Sequence, residues 1–149
     1  MRVFFTLVFA MCLRILPLPE GFALLNPDWI LLTLIYWSLA LPERVGICYA
    51  WLFGLLTDVL TGRLFGQYAL AYSIIIYLVL YWHRQLRQFP ILQQCLFIMG
   101  CLFISQALLF WFENIRAPAQ LHSSFWIPVV SGTVSWPCVY VLLRAVRRR

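Results

Sequence analysis

The feature that most constrains this chain is a succession of apolar runs of nearly membrane-spanning length. Prolines and polar residues divide the 149 residues into six such runs, at 3–18, 26–41, 45–60, 64–82, 90–112 and 124–143. A helix needs about 20 apolar residues, and at least roughly 17, to cross the hydrocarbon core of a bilayer. The pattern therefore predicts an all-α integral membrane protein, with six transmembrane helices in a single domain over residues 1–149.

Composition argues against the other classes of protein. Hydrophobic residues make up 64% of the chain and charged residues only 11%, whereas soluble domains contain about 45–50% and about 25%. Intrinsic disorder requires the opposite combination, low hydrophobicity with high charge. The net charge of +6 could indicate nucleic-acid binding, but the arginines lie in the breaks between apolar runs. That placement is typical of orientation in a membrane, so no nucleic-acid partner is expected.

Three of the first four runs contain only 16 residues. Such a helix is about 24 Å long, which is shorter than a hydrocarbon core of about 30 Å. Local thinning of the bilayer, or packing inside a bundle, can absorb this mismatch. A re-entrant hairpin at the N-terminal end is the alternative interpretation.

The first run also has features of a signal peptide, because Arg2 precedes an apolar stretch that reaches Cys12. Cleavage requires a small residue, however, and Met11 stands before the cysteine, with Arg14 soon after it. We therefore expect a helix that is retained.

The distribution of arginine predicts the orientation of the chain. With a cytoplasmic N-terminus, eight arginines fall on the cytoplasmic side and three, Arg14, Arg63 and Arg116, on or near the outer side. This is the positive-inside bias of membrane proteins. The bias predicts that both termini are cytoplasmic. The eight are Arg2, Arg44, Arg84, Arg87, Arg144, Arg147, Arg148 and Arg149.

Asp58 is the most informative polar residue within the apolar runs. Gly54, Asp58 and Gly62 follow each other at a spacing of four, which places them near one helix face with a drift of about 40° per step. Small residues at this spacing allow close approach of another helix. A carboxylate at the centre of a membrane helix costs about 2.5–3.5 kcal/mol, so a partner is expected, either Arg63 or Arg14. The face is either a contact site for a protein or ligand, or a structural tie between helices.

Gly66, Ala69 and Ser73 open the fourth run and extend the set of small residues suited to helix packing. A nucleophilic Ser73 would need a base, but His83 is about ten residues further on and His122 lies in a different loop. The chain contains neither an H-E-x-x-H zinc motif nor a G-x-x-x-x-G-K phosphate motif. The sequence therefore predicts neither an enzyme nor a cofactor or metal site.

A second candidate surface is basic and cytoplasmic. Its role is either to anchor the chain at an anionic leaflet, where each basic residue contributes about 1 kcal/mol, or to contact an acidic partner. It consists of Arg84, Arg87, Arg144, Arg147, Arg148 and Arg149.

Several short strings, in order and at the right spacing, resemble the family of rod shape-determining protein MreD in its proteobacterial form. The resemblance extends from about residue 15 to the end, and Arg14 departs from it, since an uncharged polar residue would be expected there. The strings include Asn26-Pro-Asp-Trp-Ile-Leu-Leu, Leu34-Ile-Tyr-Trp-Ser-Leu-Ala-Leu-Pro42-Glu-Arg44-Val, Gly54-Leu-Leu-Thr-Asp58, Leu92-Gln93-Gln94, Phe110-Trp-Phe-Glu113 and Trp136-Pro137.

The resemblance implies a multi-pass protein of the bacterial inner membrane, with a six-helix fold similar to the substrate-binding membrane component of ECF-type vitamin transporters. It implies a role in the cell-elongation machinery that inserts peptidoglycan along the lateral wall. The implied partners are MreC, by direct binding, with MreB, RodA and a class B penicillin-binding transpeptidase in the same complex, and membrane lipid. No catalytic residues are carried over.

Two other functions are considered. A small-molecule-binding component of a transporter would need an outward cavity, which Asp58, Gln67 and Tyr72 could line. A small membrane enzyme acting on lipid-linked wall precursors has no supporting residue set in the sequence.

Overall fold

The computed structural model describes residues 1–17, 19–20, 28–62, 66–116 and 126–149. This part of the chain is helical and contains no strand, so the prediction of an all-α fold is confirmed for it. The helices are α1 (Arg2–Ile15), α2 (Trp29–Ala40), α3 (Ile47–Thr61), α4 (Gln67–Gln88), α5 (Ile91–Arg116) and α6 (Ile127–Arg148).

Helix lengths differ from the apolar runs at several ends. The break expected after Trp82 is helical, because α4 continues to Gln88 and only Phe89 and Pro90 separate it from α5. Helices α5 and α6 likewise extend beyond residues 112 and 143. The polar residues that end an apolar run do not end a helix, since arginine and glutamine have high helix propensity.

Helix α2 is the centre of the packing. Residues 30–40 are all buried, and the helix packs against α1, α4 and α6. Trp37 Nε1 donates a hydrogen bond to Thr6 Oγ1 of α1 at 2.8 Å, and the Tyr36 ring lies 5.6 Å from that of Tyr140 in α6. At 12 residues, α2 is about 18 Å long, and its enclosure by neighbours removes the need to match the bilayer.

The outside of the structure is apolar. Among the described helices, α5 and α6 are long and apolar enough to cross a membrane, while α2 and α3 are shorter apolar helices. Only 28% and 22% of the apolar windows of α5 and α6 are buried inside the protein. A core helix of a soluble protein would be mostly buried, whereas these two helices leave most of their apolar surface exposed, as helices that contact lipid or a partner protein do.

The two ends of the bundle differ in charge. At one, the arginine end, Arg87 Nη2 of α4 donates to the Ala40 carbonyl of α2 at 3.1 Å. There, Arg2 Nη1 of α1 also donates to the Arg147 carbonyl of α6 at 3.0 Å. The opposite end, the carboxylate end, contains Asp28 at the start of α2 and Asp58 near the end of α3.

Candidate functional site

The carboxylate of Asp58 connects α3 to the start of α4. Its side chain is fully buried, with Oδ2 accepting from the Gly66 N–H at 2.9 Å and Oδ1 from the Tyr68 N–H at 3.0 Å. These N–H groups belong to the first turn of α4, where they lack partners within the helix, and the helix dipole favours a negative charge there. Asp58 therefore caps α4 from a neighbouring helix.

Backbone geometry at the hairpin between α3 and α4 requires glycine. Gly62, which caps the end of α3, has φ +66°, and Gly66, which precedes α4, has φ +103°. Residues with a Cβ rarely adopt such angles. Gly62 and Gly66 therefore shape the turn that brings the α4 N–H groups to Asp58.

Arg14 does not pair with Asp58 as expected, but with Asp28. Its Nη1 lies 3.1 Å from Asp28 Oδ1, its Nη2 donates to the Tyr68 hydroxyl, and its guanidinium carbon lies 4.8 Å from the centre of the Tyr68 ring. The other expected partner, Arg63, lies outside the described residues. The sequence predicted that Asp58 lies in an apolar run and needs a partner for its charge. That partner is not an arginine: backbone N–H groups of α4 bind the carboxylate instead.

Asp28 is a further functional candidate, and it is not among the site residues predicted from the sequence. Its Oδ1 accepts from the Leu31 N–H at 3.3 Å and so caps α2. The Tyr72 hydroxyl lies 2.8 and 2.7 Å from its two carboxylate oxygens. An aspartate directly before an apolar run is a recognisable N-cap signal, but no local pattern indicates that Arg14 and Tyr72 reach it.

Tyr68 joins the two carboxylates into one polar network. Its backbone N–H binds Asp58, and its hydroxyl accepts from Arg14, which in turn pairs with Asp28. Helices α1, α2, α3 and α4 each contribute at least one member of this network. Removing one partner of a buried charge pair costs about 3–5 kcal/mol of stability. That range is an upper limit for Arg14 and Asp28, because their side chains are still 20% and 16% exposed. The arrangement fixes the mutual positions of four helices.

The small-residue face packs within the chain at its tightest point. A Cβ built on Gly54 would lie 2.4 Å from the Cα and 2.6 Å from the N of Ala69. Atoms at those distances overlap, so α3 cannot carry a residue larger than glycine where it packs on the Ala69 backbone of α4. Of the other members, Ser73 donates its hydroxyl to the Ala69 carbonyl at 2.6 Å.

The predicted basic residues divide into two groups at the arginine end. Arg87, Arg144, Arg147 and Arg148 line one cavity, together with residues of α2, α5 and α6. Arg84 and Arg149 are exposed and do not line this cavity. The positive charge of this end could be predicted from the sequence, but the cavity that four of its arginines line could not.

Within the described residues, no group of three or more histidine, cysteine, aspartate or glutamate side chains could hold a metal ion. Asp58 and Tyr72, expected to line a cavity if the chain binds a small molecule, are fully buried, and their oxygens are bonded to protein groups. Gln67 is also buried, and its Oε1 lacks a partner among the described residues.

The comparisons with known proteins agree on one family. A family model described as rod shape-determining protein MreD matches residues 1–146. Rod shape-determining protein MreD of Haemophilus influenzae is 34% identical to the chain over 142 residues, which are 95% of this chain and 88% of that protein. No solved structure matches the chain.

Proposed function

We propose, from the premise that the chain belongs to the MreD family of rod shape-determining proteins, that it is a non-enzymatic membrane scaffold. The family gives the chain its role in determining rod shape. As a scaffold, the chain would hold the other components of the complex together. In this proposal it crosses the bacterial inner membrane six times and supports lateral peptidoglycan synthesis. It binds MreC directly, in a complex with MreB, RodA and a class B penicillin-binding transpeptidase.

The observation that carries the scaffold role is the engagement of two carboxylates, the fully buried Asp58 and the partly buried Asp28. Asp28 and Asp58 accept hydrogen bonds from helix starts, and Asp28 also pairs with Arg14. Groups used in this way stabilise a fixed arrangement of helices. A rigid bundle with an apolar exterior provides a surface on which partner helices can pack without reorganisation, which lowers the entropic cost of binding.

Two contacts support the orientation with both termini in the cytoplasm. Arg2 and Arg147 are bonded, so the start of α1 and the end of α6 lie at the same end of the bundle. Arg87 at the end of α4 belongs to this end too. The clustering of positive charge at one end is what the positive-inside rule requires of a cytoplasmic face.

Depletion in a rod-shaped host tests the role in shape. Loss of the protein should give rounded cells while the levels of soluble peptidoglycan precursors stay normal, because a scaffold organises synthesis without making substrate. Restoring expression should restore rods. Normal rods after complete depletion, in a genome without a second copy, would contradict the proposal.

Co-recovery from detergent-solubilised membranes tests the direct partner. Affinity-tagged chain should recover MreC, whereas a tagged, unrelated multi-pass protein expressed at the same level should not. A variant of the exposed Gly100, Gly100→Ala, should recover as much MreC as the wild type, because nothing lies near an added Cβ there. Equal recovery of MreC by the unrelated protein would show that the association is non-specific.

A further inference from the structure

The arginine end contains a cavity of about 350 Å³. The guanidinium-bearing residues Arg87, Arg144, Arg147 and Arg148 line it, and none of the four forms an ion pair with a carboxylate of the described chain. Uncompensated positive charges around one concavity concentrate anions there. The planar, forked donors of guanidinium groups match the oxygens of a phosphate. The cavity therefore selects an anion, and phosphate fits its donors.

Gln94 also lines this cavity. Its Nε2 donates to the Leu86 carbonyl at 2.8 Å, and its Oε1 is enclosed by protein atoms. The side chain is therefore a fixed part of the cavity wall, and the groups of the cavity that would bind an anion are its arginines.

An apolar surface adjoins this polar cavity along α6. Arg148 follows Val141 by seven residues and Val141 follows Val134 by seven, which is two helical turns each time, so the three share a stripe. Val134 and Val141 are 72% and 64% exposed. A groove on the adjoining face is lined by Pro137, Cys138, Val141, Leu142, Ala145 and others. An anionic group in the cavity would thus have apolar surface directly beside it.

We propose that the cavity binds the headgroup of an anionic glycerophospholipid from the cytoplasmic leaflet. The arginines hold the phosphate, and an acyl chain lies along the groove of α6. Basic pockets between helices on the cytoplasmic side are suited to lipid headgroups. The adjoining apolar groove favours a lipid over a soluble phosphate or an acidic peptide, neither of which would use it. The inference rests on the proposed cytoplasmic orientation of this end.

The test measures binding of short-chain phosphatidylglycerol to the full-length protein, purified in neutral detergent. Phosphatidylmethanol has the same phosphodiester charge and should bind within about threefold of phosphatidylglycerol, because the arginines hold the phosphate. Phosphatidylcholine should bind far more weakly than either. Inorganic phosphate and glycerol 3-phosphate lack acyl chains. At the concentration at which phosphatidylglycerol saturates the protein, neither should displace the lipid.

Two double variants separate the cavity from general surface charge. Arg144→Gln/Arg147→Gln removes two charges from the cavity, whereas Arg44→Gln/Arg84→Gln removes two exposed charges that do not line it. The first should weaken phosphatidylglycerol binding by about tenfold or more, and the second by about twofold or less. Helix content and unfolding midpoint verify the fold. If the first variant does not fold, the exposed Arg148→Gln should give about a threefold loss.

Three outcomes would overturn the proposal. If the two double variants weaken phosphatidylglycerol binding equally, the lipid binds through general surface charge and not in the cavity. Competition by inorganic phosphate would assign the cavity to a soluble anion. Unchanged lipid binding by Arg144→Gln/Arg147→Gln, with loss of MreC recovery, would assign the arginines to an acidic protein partner. Lipid binding is measured without MreC, so the two proposals can fail separately. Absence of lipid binding with normal MreC recovery would leave the scaffold function intact. Loss of MreC recovery with normal lipid binding would leave the lipid site intact.

Discussion

Asp28 and Asp58 each accept hydrogen bonds from the first turn of a helix, α2 and α4 respectively. Such carboxylates would be costly in an apolar bundle if they were left alone. Here the cost is offset by backbone N–H groups, by the helix dipole and, for Asp28, by Arg14 and Tyr72. At the scale of the residue, the polar groups therefore act as ties whose removal should be measurable as lost stability.

Two substitutions of Asp58 measure how much its hydrogen bonds contribute to stability. Asp58→Asn keeps one acceptor oxygen and should lower the free energy of unfolding by about 1–2 kcal/mol, whereas Asp58→Leu leaves both N–H groups unpaired and should cost about 3 kcal/mol or more. Unfolding in mixed micelles, followed by circular dichroism, gives the two values. Equal stability of the leucine variant and the wild type would show that the cap contributes nothing.

The Arg14–Asp28 pair should show energetic coupling in a double-mutant cycle of Arg14→Leu and Asp28→Leu. We expect a coupling energy of about 1–3 kcal/mol, since contacting charges in one network are not additive. Tyr72→Phe, which removes only the hydroxyl, should cost about 1.5–3 kcal/mol because that hydroxyl binds a charged group. Additive effects of the two leucine substitutions would mean that the observed 3.1 Å contact is energetically silent.

At the scale of the element, the crossing of α3 and α4 depends on Gly54. Gly54→Ala should destabilise the protein by about 1–3 kcal/mol, because its Cβ would overlap the Ala69 backbone at 2.4 Å. Gly100→Ala in α5 is the matched control: nothing lies within 4 Å of its added Cβ, and the better helix propensity of alanine should leave stability unchanged or raised by up to about 1 kcal/mol. Thermal unfolding of both variants gives the comparison, and equal effects would contradict the close crossing.

The helices could be predicted from the sequence more completely than their contacts. Apolar runs and prolines indicated the position of each helix, because burial in lipid requires local apolar sequence. They did not indicate that α4 reaches Gln88, since hydropathy reports the apolar length and not the helical length. The burial of Asp58 was foreseeable from its place in an apolar run. The pairing of Arg14 with Asp28 was not, because it is set by how α1 and α2 pack.

At the scale of the whole molecule, the two charged ends predict which residues face the same compartment. In a background without the five native cysteines, Gln88→Cys at the end of α4 should be labelled from the cytoplasm. Ile115→Cys at the end of α5, which is 69% exposed in the wild type, should be labelled only from the periplasm. An impermeant maleimide on intact and on permeabilised cells distinguishes the sides. Labelling of both positions from one side would contradict a membrane crossing by α5.

The enclosure of α2 has a consequence for how the protein is made. A chain leaves the ribosome from its N-terminus, so α2 is synthesised well before α6, whose Tyr140 packs on Tyr36. Until then α2, too short at 12 residues to cross about 30 Å of hydrocarbon, has one side uncovered. In a pulse–chase experiment, a chain ending at Arg116 should be degraded faster than the full chain, and equal half-lives would contradict this. Helix α6, which is synthesised well after α2, both covers that buried helix and completes the arginine-lined cavity.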